Sequence, residues 1–207
     1  MPIEPSRRFT GPRVYLELLR REHTLELLRY RRANFAFLRP FEPLQDEREL
    51  VATEQEALIA SYLERASRDQ SYHFGIFLQR GGTLIGRFNL NNIVRGVFQN
   101  AYVGYALDEQ RQGQGLMTEA VALGCEIGFR VLALHRLQAA TLTWNRGSQR
   151  VLEKNGFRRE GYAPGYLKIA GRWQDHIIFA RRVDQDLDLP AGDTPSEGAA
   201  RETSPPV

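Results

Sequence analysis

A short turn rich in glutamine and glycine carries the clearest chemical signal in the sequence. It lies within Tyr105–Phe129 and contains Gln110, Gly113 and Gly115, after a strand-like run and before a helical pattern. The first amide N–H groups of a helix have no partner inside the helix, and glycines let a bulky ligand approach the backbone closely. The turn therefore predicts a site for an anion such as phosphate, although a glycine pair before a helix is often only a tight turn.

The elements around this turn predict a mixed sheet. Strand patterns at 72–78, 84–90 and 99–107 precede the turn, and an apolar strand at 134–142 follows the helix. Before this β-β-β-α-β run come a strand at 14–20 and helical patterns at 23–37 and 47–65. After it come a short helix at 145–154 and strands at 157–163, 166–169 and 177–181.

Length and composition are those of one soluble domain. The chain has 207 residues, of which 42% are apolar and 26% charged, so it can form one sizeable core. The N-terminus has no apolar segment typical of a signal peptide, and no apolar run is long enough to cross a bilayer. We therefore expect a cytoplasmic protein without a membrane partner. Residues 184–207 are rich in Pro, Gly and acidic residues, so we expect a domain over 1–183 and a disordered tail.

The charge distribution shows that the domain is basic. The formal net charge is +3, and the residues from Val183 onward contribute −5 through six acidic residues and one arginine, which leaves +8 for residues 1–182. Such a surface could attract RNA or the phosphates of a ligand, or it could simply keep the protein soluble.

Common metal and nucleotide signatures are absent from the sequence. The four histidines are scattered, and the single cysteine, Cys125, has no ligand partner nearby in sequence, so we expect no metal site. There is no Gly-x-x-x-x-Gly-Lys-Ser/Thr motif, and Thr118 stands where a dinucleotide-binding turn would have its third glycine.

Further motifs carry a resemblance to a known family. The Gln110-x-x-Gly113-x-Gly115 turn is followed by Asn145-x-x-Ser148 after the next strand and then by Asn155-Gly156-Phe157. In this order and spacing, the motifs resemble the GNAT superfamily of N-acetyltransferases. Segments 37–43, 92–98, 113–120, 160–163 and 166–176 are similar to the RimJ/RimL type, which are bacterial ribosomal-protein alanine N-acetyltransferases. The resemblance implies an α/β (α+β) GNAT fold, whose mixed, mostly antiparallel central sheet of about six to seven strands is flanked by helices.

The resemblance also implies that acetyl-coenzyme A (acetyl-CoA) is the acyl donor and that no metal takes part. Its pyrophosphate would lie on the amides of the turn, with Arg111 as a counter-charge, and its pantetheine arm would follow the preceding strand. Asn145 would hydrogen-bond that arm, cap the helix, or do both. The implied donor-binding residues are Tyr105, Ala106, Leu107, Gln110, Arg111, Gln112, Gly113, Gln114, Gly115, Leu116 and Asn145.

Acetyl transfer to an amine needs a neutral nucleophile, a polarised thioester carbonyl and a proton for the departing thiolate. Ser148 is the candidate donor of that proton, unless it is only a surface serine. Glu119 is the candidate base, although the helix dipole alone favours a carboxylate in a first turn. Residues 163–166 hold no carboxylate, whereas related enzymes can place one there. A free α-amino group, with a pKa of about 7.7–8.0 in peptides, could instead lose its proton to water.

The acceptor is expected between the first helical layer and the final hairpin. Candidate substrate-binding residues there are Asn34, Phe41, Arg95 and Tyr166, with Phe37 beside them; the two phenylalanines would otherwise be core residues.

Three functions remain open from the sequence. The first is acetyl-CoA-dependent acetylation of the N-terminal α-amino group of an Ala- or Ser-initiated ribosomal protein of the small subunit, together with association with the ribosome. The second is acetylation of a small amine such as an antibiotic, a polyamine or an amino acid. The third is a ribosome- or RNA-associated assembly factor, which the basic domain suggests; no direct DNA binding is expected.

Overall fold

One eight-stranded sheet organises the computed structural model, which describes residues 3–183. The strand order is β1-β2-β3-β4-β5-β6-β8-β7. Neighbouring strands are antiparallel except β5 and β6, which are parallel. The strands are β1 (Arg8–Thr10), β2 (Val14–Leu18), β3 (Tyr72–Leu78), β4 (Leu84–Val94), β5 (Asn100–Leu107), β6 (Arg136–Leu142), β7 (Arg158–Ile169) and β8 (Arg172–Arg182).

Helices cover both faces of the sheet. They are α1 (Thr24–Ala33), α2 (Phe35–Leu38), α3 (Ala52–Ser67), α4 (Leu116–Glu126), which continues into a π-helical turn at Ile127–Val131, and α5 (Arg146–Lys154). Because successive strand residues point to opposite faces, Leu16 of β2 packs in the core under α4 and α5, whereas Tyr15 packs in the core formed with α1, α2 and α3. Strand β2 is therefore buried along its whole length.

The contact between β5 and β6 is short. The two strands are in register from Asn100 opposite Arg136 to Tyr102 opposite Gln138. Beyond this point β5 continues to Leu107 without a β6 partner, while β6 stays paired with β8 as far as Leu142. A parallel pair needs a long crossover connection, and here α4 supplies it. The strands therefore part next to the N-terminus of α4.

The predicted fold class is confirmed, with differences in detail. The strand patterns at 157–163 and 166–169 form one continuous strand, β7. The sheet has eight strands rather than six to seven. Strand β1 has only three residues, exposed–buried–exposed around Phe9, and is too short for a periodic pattern to identify. The helical pattern at 23–37 is divided at Asn34, whose backbone (φ −107°, ψ 7°) leaves the helical region.

Within residues 3–183, no helix is both long and apolar enough to cross a bilayer. The tail predicted for 184–207 lies outside the described residues.

Candidate active site

The predicted anion-binding turn joins β5 to α4 and leaves the start of the helix without a side-chain cap. Asp108 Oδ1 accepts a hydrogen bond from the Gln110 amide at 2.9 Å and begins a 3-10 turn. Gly113 and Gly115 have φ values of 74° and 76°, a region that residues with a Cβ adopt only at a cost. Gly115 is the N-cap residue of α4 and has no side chain to satisfy the first amides. These amides and the helix dipole favour an anion.

A cavity of about 520 Å³ lies against this turn. Its walls come from the α2 region, the end of β5, the turn with the first residues of α4, and α5. The lining residues are Phe37, Leu38, Phe41, Glu42, Tyr105, Ala106, Leu107, Arg111, Gln112, Gly113, Gly115, Leu116, Met117, Thr118, Asn145, Gly147, Ser148, Arg150, Val151 and Lys154.

Most of the residues predicted to bind the donor line this cavity. They are Tyr105, Ala106, Leu107, Arg111, Gln112, Gly113, Gly115, Leu116 and Asn145. Gln110 and Gln114 are not among the lining residues and instead hold the turn together. Gln114 Nε2 donates to the Gln110 carbonyl at 3.2 Å, and the Gln114 carbonyl accepts a hydrogen bond from Arg13 Nη1 at 2.8 Å.

Two hydroxyl groups meet at the cavity wall. The Tyr105 hydroxyl lies 2.9 Å from Ser148 Oγ and also donates to the Ser148 carbonyl at 3.1 Å. Asn145 Oδ1 accepts a hydrogen bond from the Ser148 amide at 3.1 Å, so Asn145 caps α5. Burial raises the pKa of Tyr105 well above its ordinary value, and its hydroxyl therefore stays protonated at neutral pH. The site offers two adjacent hydroxyl protons.

Glu119 lies outside the cavity lining, and its carboxylate is occupied. Oε1 accepts hydrogen bonds from the amides of Arg13 and Val14 at 2.6 and 3.0 Å, and Oε2 accepts one from Arg13 Nε at 2.9 Å. Burial alone would raise the pKa of Glu119, but these hydrogen bonds and the arginine charge outweigh burial and hold it below its ordinary value. These contacts join the start of β2 to the first turn of α4.

The candidate acceptor residues do not come together. Phe41 lines the cavity. Asn34 is buried, accepts a hydrogen bond from the Glu109 amide at 2.9 Å and donates one to the Tyr30 carbonyl at 2.9 Å. Arg95 forms an ion pair with Asp69 and also donates to the Leu132 carbonyl.

Tyr166 lies on β7, where its ring centroid is 5.8 Å from that of His176, and it is not among the lining residues. Of the four predicted acceptor residues, the structure therefore brings only Phe41 to the cavity.

Three charged lining residues were missed by the sequence analysis. Arg150 and Lys154 are one helical turn apart in α5, and with Arg111 they bring three cations to the cavity. Their spacing on the helix that begins at Asn145 was a usable signal. Glu42 is the one carboxylate among the lining residues. It follows a 3-10 turn, and only the packing of that turn onto the sheet places it here.

An aromatic contact joins two walls of the cavity. The Phe41 ring lies 5.1 Å from that of Trp144, centroid to centroid, and 5.9 Å from that of Phe37. Trp144 directly precedes Asn145, so this contact links the α2 region to the start of α5.

One group of side chains in residues 3–183 has the proximity of a metal site: Glu17, Glu22 and His23. Two arginines already hold the Glu17 carboxylate, Arg8 at 2.8 Å and Arg20 on the other oxygen. A cation there would have to displace both, so the group forms an ion-pair network.

Comparison with known proteins supports the resemblance seen in the motifs. Residues 13–158 match the family model described as acetyltransferase (GNAT) domain. The chain is 39% identical over 170 residues to the probable N-acetyltransferase YjcK of Bacillus subtilis, a match that covers 82% of this chain and 94% of the relative. It is 34% identical over 176 residues to the ribosomal protein uS5-alanine N-acetyltransferase of Escherichia coli, covering 85% and 91%.

A solved structure shows the same fold. Mycobacterium smegmatis RimJ, in complex with CoA-disulfide, superposes with a TM-score of 0.80 at 29% identity, and the match covers 90% of this chain and 88% of that one. The predicted similarity to RimJ/RimL-type N-acetyltransferases is thereby confirmed. Both the matched family model and the extent of the identity lead to one conclusion: the chain belongs to the GNAT family of acetyltransferases.

Proposed function

We propose that this protein transfers the acetyl group of acetyl-CoA to the N-terminal α-amino group of a ribosomal protein, an Ala- or Ser-initiated protein of the small subunit. The observation that carries the proposal is the cavity in which the uncapped start of α4, the unpaired end of β5 and the hydroxyls of Tyr105 and Ser148 meet. The acceptor rests on the similarity to the E. coli enzyme, whose name states that it acts on alanine of uS5.

The cavity suits the donor at both of its ends. The amides of the Gln110–Leu116 turn would bind the pyrophosphate, and Arg111, Arg150 and Lys154 would add positive charge. A Cβ built on Gly113 would meet no atom within 4 Å, so the backbone there faces open space that suits a bulky anion. The pantetheine arm, which carries amide groups, would pair with β5 where that strand has no β6 partner.

The reaction follows from the positions of the hydroxyl groups. The acceptor nitrogen attacks the thioester carbonyl carbon, the C–N bond forms, and the C–S bond then breaks. As the amide forms, its nitrogen releases a proton to water. The departing thiolate takes a proton from Ser148, which regains one from water, while the Tyr105 hydroxyl at 2.9 Å positions Ser148 Oγ. The α-amino group reaches its neutral form by losing a proton to water, since its pKa in peptides is about 7.7–8.0.

Glu119 has a structural role in this proposal. Its carboxylate oxygens already accept three hydrogen bonds from Arg13 and Val14, and a base must be free to reach the amine. Glu119 therefore fixes the start of α4 against β2.

The test compares acceptors under the same donor concentration. Purified protein and labelled acetyl-CoA are incubated in separate reactions with one kind of acceptor each. The acceptors are small ribosomal subunits, Ala- and Ser-initiated peptides, and a panel of small amines. We expect label at protein and peptide N-termini, located by mass spectrometry, and loss of labelling when the peptide N-terminus is already acetylated. Labelling confined to the small amines would overturn the proposed acceptor.

Association with the ribosome is tested separately from catalysis. Binding of the Ser148→Ala variant to small subunits is measured over a salt titration, because phosphate contacts weaken steeply with salt. We expect weak, transient binding through the acceptor protein, and hence a cytoplasmic site of action. Tight, strongly salt-dependent binding combined with no acetylation would favour an RNA-associated assembly factor.

A further inference from the structure

Glu42 is held at the cavity by contacts that fix both its backbone and its side chain. It follows the 3-10 turn Arg39–Phe41, and its carbonyl accepts a hydrogen bond from the Ala170 amide at 2.9 Å. Its side chain is 19% exposed and lines the cavity. The loop after α2 is thereby tied to the end of β7, and the Glu42 carboxylate has a defined position.

The carboxylate has one polar partner on each oxygen. Arg87 of β4 binds Oε1 through Nη2, and Gln45 Nε2 donates to Oε2 at 3.0 Å. Each carboxylate oxygen has about two acceptor sites, so each can accept one more N–H group. Arg87 is not among the residues that line the cavity, whereas Glu42 is. Glu42, Gln45 and Arg87 also line a smaller neighbouring pocket. Glu42 therefore lies between the two pockets, whereas Arg87 lines only the smaller one.

The charges at the cavity are divided between different elements. The cations Arg111, Arg150 and Lys154 come from the turn and from α5, whereas the carboxylate comes from the loop after α2. Next to Glu42, the Phe41 ring contacts Trp144, which lies two residues before α5 begins at Arg146. A donor rich in phosphate suits the cationic part, which leaves Glu42 for a group that is positively charged and carries N–H donors.

We propose that Glu42 binds the amino group of the acceptor and sets the specificity for amines without a neighbouring carboxylate. This inference rests on the proposed function and refines it. A peptide N-terminus carries an amide on its Cα, whereas a free amino acid carries a carboxylate that Glu42 would repel. The site thus selects peptide or amide acceptors over free amino acids of the same side chain.

In this arrangement Glu42 touches the acceptor but takes up no proton. The bound ammonium group gives one proton to water, and the neutral amine keeps its remaining N–H groups on the Glu42 oxygens. Its lone pair is then free to attack the thioester carbonyl carbon, and the nitrogen releases a second proton to water as the amide forms. The leaving thiolate takes its proton from Ser148, which regains one from water.

The obvious variant has a structural side effect. Replacing Glu42 leaves Arg87 partly buried without its partner, which destabilises the fold. The experiment therefore compares Glu42→Gln with the double variant Glu42→Gln/Arg87→Met, which removes both charges. Glu47→Gln is the matched control, since Glu47 is an exposed residue of the following 3-10 turn.

Steady-state kinetics are measured with an Ala-initiated peptide, alaninamide and free alanine, together with the unfolding temperature of each variant. We expect both Glu42 variants to raise the KM for the peptide roughly tenfold or more, as for the loss of a charge-assisted hydrogen bond. The KM for acetyl-CoA should stay unchanged, and the preference for alaninamide over alanine should shrink. Glu47→Gln should match the wild type in every measurement.

A double variant that recovers both its unfolding temperature and the wild-type KM for the peptide would show that Glu42 only pairs with Arg87, and would overturn the inference. If the wild type acetylates small amines but no peptide, the proposed function fails. The kinetics of the same variants are then measured with the small amine that the wild type acetylates. In that case an unchanged KM for the amine would also overturn the role of Glu42. A wild type that acetylates no amine would overturn both.

Discussion

Arg13 binds the carboxylate of Glu119 through both its backbone and its side chain. Its amide donates to Oε1 at 2.6 Å and its Nε to Oε2 at 2.9 Å. Arg13 Nη1 also donates to the Gln114 carbonyl in the glycine turn at 2.8 Å. One arginine therefore fixes the turn and the helix that follows it, and Glu119 is the group that holds this arginine.

Replacing Glu119 by Ala should lower the free energy of unfolding by about 1–2 kcal/mol, because the exposed amide of Arg13 and the partly buried amide of Val14 lose a charged acceptor. Urea unfolding measures this loss, and kcat is measured well below the unfolding temperature. We expect kcat to stay close to that of the wild type. Glu126→Ala is the control in the same helix, since its exposed pair with Arg130 spans 3.9 Å and contributes little. A Glu119→Gln variant with normal stability and a kcat about 100-fold lower would instead identify Glu119 as the base.

Replacing Ser148 by Ala should lower kcat by about 100-fold, because the thiolate loses its proton donor. The dissociation constant for acetyl-CoA should change less than about twofold, since the hydroxyl contributes to the reaction rather than to donor binding. Single-turnover kinetics and calorimetric titration separate the two effects. Ser61→Ala is the control, because the Ser61 hydroxyl donates to the Leu58 carbonyl within α3, at 2.8 Å. Unchanged kcat in Ser148→Ala would remove Ser148 from the mechanism.

Replacing Gly113 by Ala should weaken acetyl-CoA binding about tenfold. The added Cβ meets no atom within 4 Å, but at φ 74° it costs about 1–2 kcal/mol, so the turn relaxes away from its anion-binding shape. Gly96 is a matched control, because it has φ 69°, equally open surroundings and a position in the β4–β5 connection. Both variants should lose similar stability, and only Gly113→Ala should lose donor affinity. Equal donor affinity in the two variants would contradict the role of the turn.

The buried His73 should make stability depend on pH. Its ring stacks on Tyr62 at 3.7 Å between centroids, and burial lowers its pKa to about 4. The pKa of histidine in the unfolded chain is about 6.5. Between this pH and the folded-state pKa, the unfolded chain binds the proton and the folded chain does not, so stability falls as the pH decreases through that window. From pH 7 to pH 5 the loss should be about 2 kcal/mol from this residue.

The His73 prediction is measured by urea unfolding at both pH values. His73→Gln, which cannot bind the proton, should be less stable than the wild type at pH 7 and lose about 2 kcal/mol less on acidification. An identical pH dependence in the two proteins would show that His73 does not titrate in this window.

The turn, its flanking strand and helix, and the Asn145 cap could be predicted from the sequence because each has a local cause. Glycines at positive φ, helical periodicity and a capping asparagine all act over a few residues. The proposed donor side of the site follows from these local signals. Most of its predicted residues therefore line the cavity.

The proposed acceptor side could not be predicted in this way. Arg95 was a reasonable candidate by type, but its hairpin carries it to Asp69 and Leu132. Glu42 reaches the cavity only because its loop bonds to Ala170 and Arg87, which are 128 and 45 residues away in the chain. Contacts between distant segments have no periodic signature, so only the folded structure reveals them.

Strands β5 and β6 separate after Tyr102 and Gln138, so the sheet lacks hydrogen bonds between them beyond that point. A donor bound there would make hydrogen bonds in place of those that the two strands do not make with each other. It would thereby stabilise the sheet where its two halves separate. A ligand that binds only the folded state stabilises it by mass action. The free energy of unfolding would then rise with the logarithm of the acetyl-CoA concentration, once that concentration exceeds the dissociation constant.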